Sequence, residues 1–311
     1  MCNFSVELFD DKLHQFLNTF TKSYFFMPIT PKIIRDSSKT GRSNAQLMNH
    51  YLVEKELANR VRCSSREERQ TLLPKLYDEL FARVPDHPRL TRRENFEESD
   101  RSVEARLKIL RGLLSKSTVF LEIAPGDCRL AYAVAKHVAR VYAADISDQS
   151  TPRIDRPSNF ELVLFDGFHL DIPSTFADVV FSYQFLEHLH PDDLGAHMDL
   201  VARVLKPGGV YVLDTPHSFS GPHDISRYFC DKAEGFHMHE WTYEEIAKLG
   251  NRHGFNRMSV YRFGRRWDTP LALMATRMME SLLRILPERL RWRLSQRFFG
   301  GVTACLWRAS E

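Results

Sequence analysis

The sequence predicts a doubly wound α/β fold, in which helices cover both faces of a parallel sheet, with a largely helical segment in front of it. After Ser117, short apolar runs alternate with stretches of helical periodicity. Strands that alternate with helices in this way pair in parallel through right-handed crossovers. From Ser43 to about Val84, apolar residues recur every three or four positions, which indicates helices.

The strands of the predicted sheet are short apolar runs bounded by turn-forming residues. In chain order they are 118–123, 141–146, 160–165, 177–181 and 210–213. Helices are predicted from the 3.6-residue period at 101–115, 129–139 and 191–204. The helices that fall between strands are the crossovers that parallel pairing requires.

Composition places the chain among globular proteins and excludes some classes of function. Its 311 residues exceed a usual domain of about 100–150 residues, and 43% of them are apolar. A net charge of +3 is too small to demand a nucleic acid or an acidic partner. Five cysteines without a C-x-x-C pair indicate free thiols in a reducing compartment. Because no signal peptide and no uncharged run near ~18 residues is found, we expect a soluble, cytoplasmic protein.

The residue pattern changes near residue 100, and this change suggests how the chain is divided into domains. Pro85, Pro88 and the polar run 91–100 separate the N-terminal helices from the alternating strands and helices. We therefore divide the chain into a largely helical extension, 1–100, and a ligand-binding domain, 101–311.

Ligands of doubly wound sheets lie beyond the carboxyl ends of the strands. The first strand ends in Glu122 and a turn with one glycine, Gly126, which lacks the G-x-G-x-x-G pattern of dinucleotide sites. An acidic residue inside the strand suits a ligand that carries an ammonium group. The second strand ends in Asp145, about 20 residues after Gly126, a spacing at which a carboxylate accepts hydrogen bonds from ribose hydroxyls. The third strand ends in Asp166-Gly167.

The ordered set of motifs resembles the class I S-adenosylmethionine-dependent methyltransferases (the methyltransferase type 11/23-like domain) over roughly 102–263. The set also includes an E-H-L segment after the fourth strand and L-K-P-G-G before the fifth. The resemblance implies a Rossmann-like, mostly parallel seven-stranded sheet with an antiparallel last strand. It places strands six and seven at 258–263 and 302–307, with a helical insertion, 264–299, between them.

By this resemblance, the domain 101–311 binds S-adenosyl-L-methionine at the strand ends. The turn that begins at Glu122 would hold the methionine end, Asp145 the ribose hydroxyls and Asp166 the adenine amino group. The implied cofactor-binding residues are Glu122, Ala124, Gly126, Asp145, Ile146, Asp166, Gly167 and Tyr183. Isolated acids of this kind often cap helices or turns, but three at successive strand ends favour a binding site.

Two positions depart from the family pattern. Ala124 stands where the family usually has its first glycine, and Cys128 where it often has a third. Alanine is tolerated at such a position if its φ stays negative, so this departure counts only slightly against cofactor binding. The departures motivate an alternative function, a non-catalytic methyltransferase-like binding or scaffold protein. A nicotinamide-dependent oxidoreductase is disfavoured because the glycine fingerprint is missing.

Methyl transfer to a hydroxyl group needs alignment of the reactants and a base that removes the proton. The candidate bases are His217, His188 and His223, which follow strands four and five, since histidine titrates nearest neutral pH. A single histidine near a strand end is as often a structural hydrogen-bond donor.

A metal site is the alternative use of this region. His223, Asp224, His237 and His239 lie close in sequence, but their loop has no recognised ligand motif. Residues 184–188 are similar to the E-x-x-E-H of metal-assisted methyltransferases that act on polyprenyl catechols. A glutamine replaces the first Glu of that motif, which removes one anionic ligand, and we therefore expect no metal.

The expected acceptor is a small molecule, a glycan or a lipid-linked compound with a hydroxyl group. Nucleic-acid methyltransferases of this fold usually carry N-P-P-Y or D-P-P-Y after strand four, where this chain has S-Y-Q-F, or a Pro-Cys nucleophile. The double-Glu segment of protein arginine methyltransferases is also absent. We therefore expect no nucleic-acid partner.

The segment 264–299 is predicted to form two helices that Pro287 separates. Leu271, Met274, Met278 and Leu282 follow a helical spacing, and the segment's arginines outnumber its acidic residues by five. One interpretation is a helical pair that packs on the core and leaves its arginines in solvent. The other is a basic amphipathic lid that covers the substrate pocket or contacts an anionic membrane through 268–299.

Overall fold

The structure is a computed structural model, which describes residues 37–92, 96–151 and 154–310. Residues 1–36 of the predicted N-terminal extension lie outside the described residues. The described part contains a single mixed sheet, helices on both of its faces, and four helices that precede the first strand.

Within the described residues, the sheet contains eight strands: β1 (Val119–Ile123), β2 (Arg140–Asp145), β3 (Phe160–Leu164), β4 (Ala177–Tyr183), β5 (Leu205–Thr215), β6 (Phe255–Arg262), β7 (Arg265–Trp267) and β8 (Val302–Arg308). Their spatial order is β3-β2-β1-β4-β5-β8-β6-β7. The first five strands pair in parallel, and β8 is antiparallel to both β5 and β6. The predicted doubly wound, mostly parallel sheet with an antiparallel last strand is confirmed.

The strand count differs from the predicted seven because β7 adds a strand at the edge of the sheet. It pairs antiparallel with β6 after a tight turn in which Phe263 and Gly264 have positive φ. The guanidinium of Arg265 lies over the ring of Trp267, 3.6 Å from its centroid. A three-residue strand with two arginines has no apolar alternation, so the sequence pattern does not reveal it.

The described residues contain nine α-helices: α1 (Asn44–Arg62), α2 (Arg66–Arg83), α3 (Pro88–Arg92), α4 (Phe96–Leu110), α5 (Arg129–Ala135), α6 (Leu194–Val204), α7 (Tyr243–Arg252), α8 (Pro270–Arg284) and α9 (Glu288–Phe298). Ser43 and Ser65 begin α1 and α2 with capping boxes, in which the serine and the third helical residue exchange hydrogen bonds. The helix α4 runs across residue 100, so the proposed domain boundary falls inside a helix.

Two apolar cores lie on opposite faces of the sheet. The first includes Leu110 of α4 and Leu130 of α5. The second includes Met198 of α6, Ile246 of α7 and Leu283 of α8. The helical insertion between the last long strands is therefore part of the second core rather than a separate unit.

The N-terminal helices are attached at the carboxyl ends of the strands. The helices α1 and α2 share a small core, which Phe236 joins from the segment before α7. Arg69 on α2 is only 1% exposed, and it donates to both carboxylate oxygens of Asp193, at 2.7 and 3.1 Å. Asp193 lies in the turn after β4 that leads into α6. This attachment brings the N-terminal helices to the side of the sheet where the sequence predicts the ligand site.

Candidate active site

The turn after β1 has a left-handed backbone at three positions. Ala124, Gly126 and Cys128 have φ angles of 55°, 60° and 60°. The condition of a negative φ, under which alanine is tolerated at position 124, is therefore not met. A side chain with a Cβ atom in this conformation costs about 1–2 kcal/mol, which the surrounding packing must offset. Cys128 is buried, so its thiol is enclosed by the core next to the turn.

Glu122, at the end of β1, lies beneath this turn and is only 2% exposed. Its Oε2 atom has no hydrogen-bond partner among the described residues. Burial raises the pKa of Glu122 to about 8, and the negative charges of Asp127 and Asp145 add to this effect. The side chain is therefore mostly protonated at neutral pH until a cation comes close to it.

Asp145, at the end of β2, joins the turn to the neighbouring strand. One carboxylate oxygen accepts the N–H of Ile146 at 2.7 Å, and the other accepts the N–H of Gly126 at 3.3 Å. Burial raises the pKa of Asp145 above its ordinary value. These contacts fix the carboxylate between two strand ends, where it can still accept hydrogen bonds from a ligand.

Asp166 caps the turn that follows β3. One of its carboxylate oxygens accepts the N–H groups of Phe168 and His169, both at 2.7 Å, and the other lies 2.8 Å from His169 Nδ1. Of the pair Asp166-Gly167, only Gly167 lines the cavity described next. In this structure Asp166 therefore caps a turn, as isolated acidic residues often do.

A cavity of about 170 Å³ lies at the carboxyl ends of β1 to β4, and we call it the first cavity. The predicted site residues that line it are Ala124, Gly126, Asp145, Ile146, Gly167 and Tyr183. The helix α2 contributes Leu76 and Tyr77, and burial raises the pKa of Tyr77. The first cavity is thus bounded by the strand ends and by the N-terminal extension.

A second cavity, of about 730 Å³, adjoins the first. The residues that line both cavities are Tyr77, Arg89, Ala124, Gly126, Tyr183, Gln184, His188 and Phe236. The second cavity is also lined by His50, Glu54 and Arg106 from the N-terminal helices. The sequence analysis missed these three residues, because they lie outside the family motifs. The only available signal was the four-residue spacing that puts His50 and Glu54 on one helix face.

Of the three predicted bases, His188 lines both cavities, and His223 lines the second. Nδ1 of His188 lies 3.1 Å from the carbonyl oxygen of Phe236, so this nitrogen carries the proton and donates it. Burial lowers the pKa of His188 to about 3, which keeps the ring neutral. Nδ1 of His223 is occupied by Glu240, 3.1 Å away. His188 therefore presents an unprotonated Nε2 near the wall between the cavities.

The structure places His217 in the core and outside both cavities. The side chain is fully buried, and its Nε2 lies 2.9 Å from Oε1 of Glu280 on α8. Its Nδ1 accepts the N–H of Phe219, and its ring stacks on Phe299 at 4.4 Å. These contacts give His217 a structural role that the position after β5 did not reveal.

The sequence model of a methyltransferase domain family matches residues 121–213, which span β1 to β5 and include the strand ends around the first cavity. Residues 121–213 form a methyltransferase domain. S-adenosylmethionine is the cofactor of this family. No curated protein matches the sequence.

Solved methyltransferase structures are similar to this chain. Phosphoethanolamine N-methyltransferase 1 from Haemonchus contortus is 14% identical, with a TM-score of 0.50 over 79% of this chain and 50% of that chain. A methyltransferase from Archaeoglobus fulgidus is 18% identical, with a TM-score of 0.49 over 71% of this chain and 100% of that chain. A Haloferax volcanii methyltransferase, solved with the Trm112 activator, is 16% identical, with a TM-score of 0.47 over 70% of this chain and 94% of that chain. At these identities the similarity concerns the fold alone.

The residues of the methyltransferase domain fit S-adenosylmethionine at the first cavity. Asp145 lines the first cavity and offers acceptors for hydroxyl groups. Glu122 lines neither cavity, but its buried Oε2 atom, which has no hydrogen-bond partner among the described residues, lies behind the turn and suits a nearby ammonium group. A Cβ atom at Gly126 would meet nothing within 4 Å, so the turn leaves open space on that side. The assignment of single residues to single parts of the cofactor stays a prediction.

Proposed function

We propose that this methyltransferase methylates a hydroxyl oxygen of an acceptor that occupies the second cavity. The observation that supports this most directly is the wall common to the two cavities, which contains Tyr183, Gln184 and His188. A cofactor in the first cavity and an acceptor in the second would meet at this wall. An in-line displacement needs such an arrangement, because the nucleophile must approach the methyl group from the side opposite the sulfur.

The role that we propose for each residue follows from its contacts. Bound S-adenosylmethionine supplies an electrophilic methyl group. Asp145 and the backbone at Gly126 and Gly167 hold the cofactor at the strand ends. His188, with Nε2 unprotonated, takes the proton of the acceptor hydroxyl. The α2 side chains, including Tyr77, keep water away from the wall.

The second cavity also indicates the chemistry of the acceptor. Arg89, Arg106 and Arg227 line it, and none of the three forms a salt bridge within the described residues. Each guanidinium lies over a tyrosine ring, at 5.1, 5.2 and 5.7 Å from the centroids of Tyr77, Tyr183 and Tyr228 respectively. Arg106 also donates from Nε to the carbonyl oxygen of Ser102 at 3.3 Å, and its terminal nitrogens remain as possible donors to an anion. We therefore propose a polar acceptor with an acidic group, such as a sugar phosphate, free or linked to a lipid.

Transfer of a labelled methyl group from S-adenosylmethionine tests this proposal. We expect label in phosphorylated sugars and none in the same sugars without phosphate. The substitution His188→Gln is expected to lower kcat by about 100-fold, since general base catalysis contributes at least this much. His137→Gln, at an exposed side chain that lines neither cavity, is the matched control. Cofactor binding without transfer to any acceptor would instead favour the non-catalytic scaffold.

The helical insertion presents a surface suited to a membrane. Five large apolar residues of the insertion, between 58% and 80% exposed, follow one face of α8 and its end: Leu271, Met274, Met278, Leu282 and Ile285. Exposed arginines accompany them at 284, 289, 293 and 297. Among the described residues, no member of 264–299 lines either cavity, so the lid interpretation is not supported. No helix of the described part is long and apolar enough to span a membrane.

We propose that this face rests on an anionic membrane, with the apolar side chains at the acyl boundary and the arginines at phosphate groups. The protein is expected to sediment with vesicles that contain phosphatidylserine and not with pure phosphatidylcholine vesicles. The double substitution Met278→Ser/Leu282→Ser should lower the partition coefficient onto the vesicles by at least about 100-fold, since each buried apolar side chain contributes about 1.5–3 kcal/mol. Leu52→Ser/Leu164→Ser, at exposed apolar residues elsewhere, is the control. If both double variants sediment with the vesicles to the same extent, the proposal of membrane contact is contradicted.

A further inference from the structure

Glu187, His188 and His237 form a compact cluster at the second cavity. One possible ligand atom from each residue lies within 4.8 Å of the other two, and Oε1 of Glu187 is 4.0 Å from Nε2 of His188. All three side chains line the second cavity, and His188 also lines the first. The loop that carries His237 is tied to this place because the N–H of Met238 donates to the carbonyl oxygen of Glu187 at 2.7 Å.

The outer atom of each side chain is already held by another group. Nδ1 of His188 lies 3.1 Å from the carbonyl oxygen of Phe236, and Nδ1 of His237 lies 2.8 Å from a carboxylate oxygen of Glu240. Oε2 of Glu187 accepts the hydroxyl of Thr215 at 2.9 Å. Contacts of this kind fix the tautomer and the orientation of metal-binding histidines. They leave the two Nε2 atoms and Oε1 of Glu187 as the inner atoms of the cluster.

The inner oxygen of Glu187 lacks a partner. Glu187 is fully buried, and its Oε1 has no hydrogen bond among the described residues. An unpaired carboxylate oxygen in the interior is costly, and a cation at hydrogen-bond or ligand distance removes this cost.

We propose that Glu187, His188 and His237 bind one divalent transition-metal ion, such as Zn²⁺. Two imidazole nitrogens and one carboxylate oxygen are a donor set for zinc or iron, whereas Mg²⁺ takes oxygen ligands. Bonds of about 2.1 Å bring donors to roughly 3–4 Å from each other, so small side-chain rotations complete the site. With three protein ligands, a coordination position stays open towards the second cavity.

The other histidine cluster of this cavity, His50, Glu54 and His87, is less suited to a metal. Nη1 of Arg42 lies 2.9 Å from Nδ1 of His50, so a cationic group already occupies that side. Both oxygens of Glu54 are used, by His50 Nε2 at 2.8 Å and by the N–H of Phe236 at 3.0 Å. This cluster is satisfied within the protein, whereas the cluster at Glu187 is not.

The role of the ion rests on the proposed function, although its binding does not. An acceptor hydroxyl bound at the open position would have a lowered pKa and would release its proton to water in the second cavity. In that state Nε2 of His188 holds the ion instead of receiving the proton. Because His188 lines both cavities, the acceptor oxygen bound to the ion would lie close to the first cavity, where the cofactor is proposed to bind.

Titration of the metal-free, full-length protein with Zn²⁺ alone tests the site. We expect one Zn²⁺ per chain by calorimetry, and affinity at least about 100-fold lower in Glu187→Gln and in His237→Ala. His50→Ala, from the other cluster, and His253→Ala, next to Asp199 on the surface, should leave stoichiometry and affinity unchanged. Thermal unfolding without metal confirms that each variant is folded.

The absorption spectrum of bound Co²⁺ shows whether the ion binds at this site or at the exposed thiol of Cys63. A thiolate ligand gives a charge-transfer band, whereas nitrogen and oxygen ligands give none. Absence of binding, or full affinity in both ligand variants, overturns the metal site and leaves His188 as the proposed base. Binding of Zn²⁺ with methyl transfer that is unaffected by chelator supports the site and overturns its part in catalysis. Absence of methyl transfer with bound Zn²⁺ counts against the proposed function alone.

Discussion

The substitution Asp193→Ala is expected to lower the free energy of unfolding by about 3–5 kcal/mol, the usual result of breaking a buried ion pair from one side. Arg69 would keep its positive charge at a place where it is 1% exposed. In the intact protein, its Nε and Nη2 atoms donate to Asp193, and a third nitrogen donates to the carbonyl oxygen of Ser64. Only the last of these contacts would survive.

The effect on the site follows from where the pair lies. Arg69 belongs to α2, which also carries Leu76 and Tyr77 at the first cavity, and Asp193 itself lines that cavity. Loss of the pair frees α2 from the strand ends. We therefore expect Asp193→Ala to weaken S-adenosylmethionine binding at temperatures well below the unfolding transition.

Urea unfolding at fixed pH measures the change, and Glu79→Ala is the matched control. Glu79 pairs with Arg60 and Arg83 on the surface, where all partners are more than 30% exposed, so its loss should cost less than about 1 kcal/mol. The double substitution Arg69→Met/Asp193→Leu removes both charges and should recover most of the stability. A loss below about 1 kcal/mol in Asp193→Ala would show that the pair does not hold the two parts together.

The sheet could be predicted from the sequence because its signals are local. The strands β1, β2 and β4 are largely buried apolar runs, and turn residues such as Gly126 follow the first of them. The edge strand β7 could not be predicted from the sequence because it is short and charged. The positive φ of Ala124 could not be predicted, because alanine is rare in a left-handed backbone conformation. A glycine at this position would have indicated that conformation.

The walls of the second cavity could not be predicted because they come from distant parts of the chain. His50 and Arg106 reach it from the N-terminal helices, and His237 from the loop before α7. Sequence spacing suggested a group around His223 and His239, yet the packing brings His237 to Glu187 instead. The role of His217 depends on Glu280, whose place opposite it follows from the packing of α8.

The affinity for S-adenosylmethionine is expected to rise by roughly 20-fold between about pH 6.0 and about pH 7.5, through the ionisation of Glu122. In the free protein, burial raises the pKa of Glu122 to about 8, so the side chain binds a proton throughout this range. The ammonium group of the cofactor favours the ionised form, and binding therefore releases the proton. Below the pKa of the free form, each pH unit changes the affinity by about tenfold.

Calorimetry in two buffers with different heats of ionisation measures the proton release directly, and Glu122→Gln should abolish both the release and the pH dependence. Stability gives an independent check. Because the folded pKa lies above the unfolded value near 4.5, the folded protein binds the extra proton, and its stability falls as pH rises from about 5 to about 8. The unfolding free energy of Glu122→Gln, relative to the natural protein, should rise over the same range. Proton release that persists in Glu122→Gln would assign the titration to another group, with Asp145 the next acid to test by Asp145→Asn.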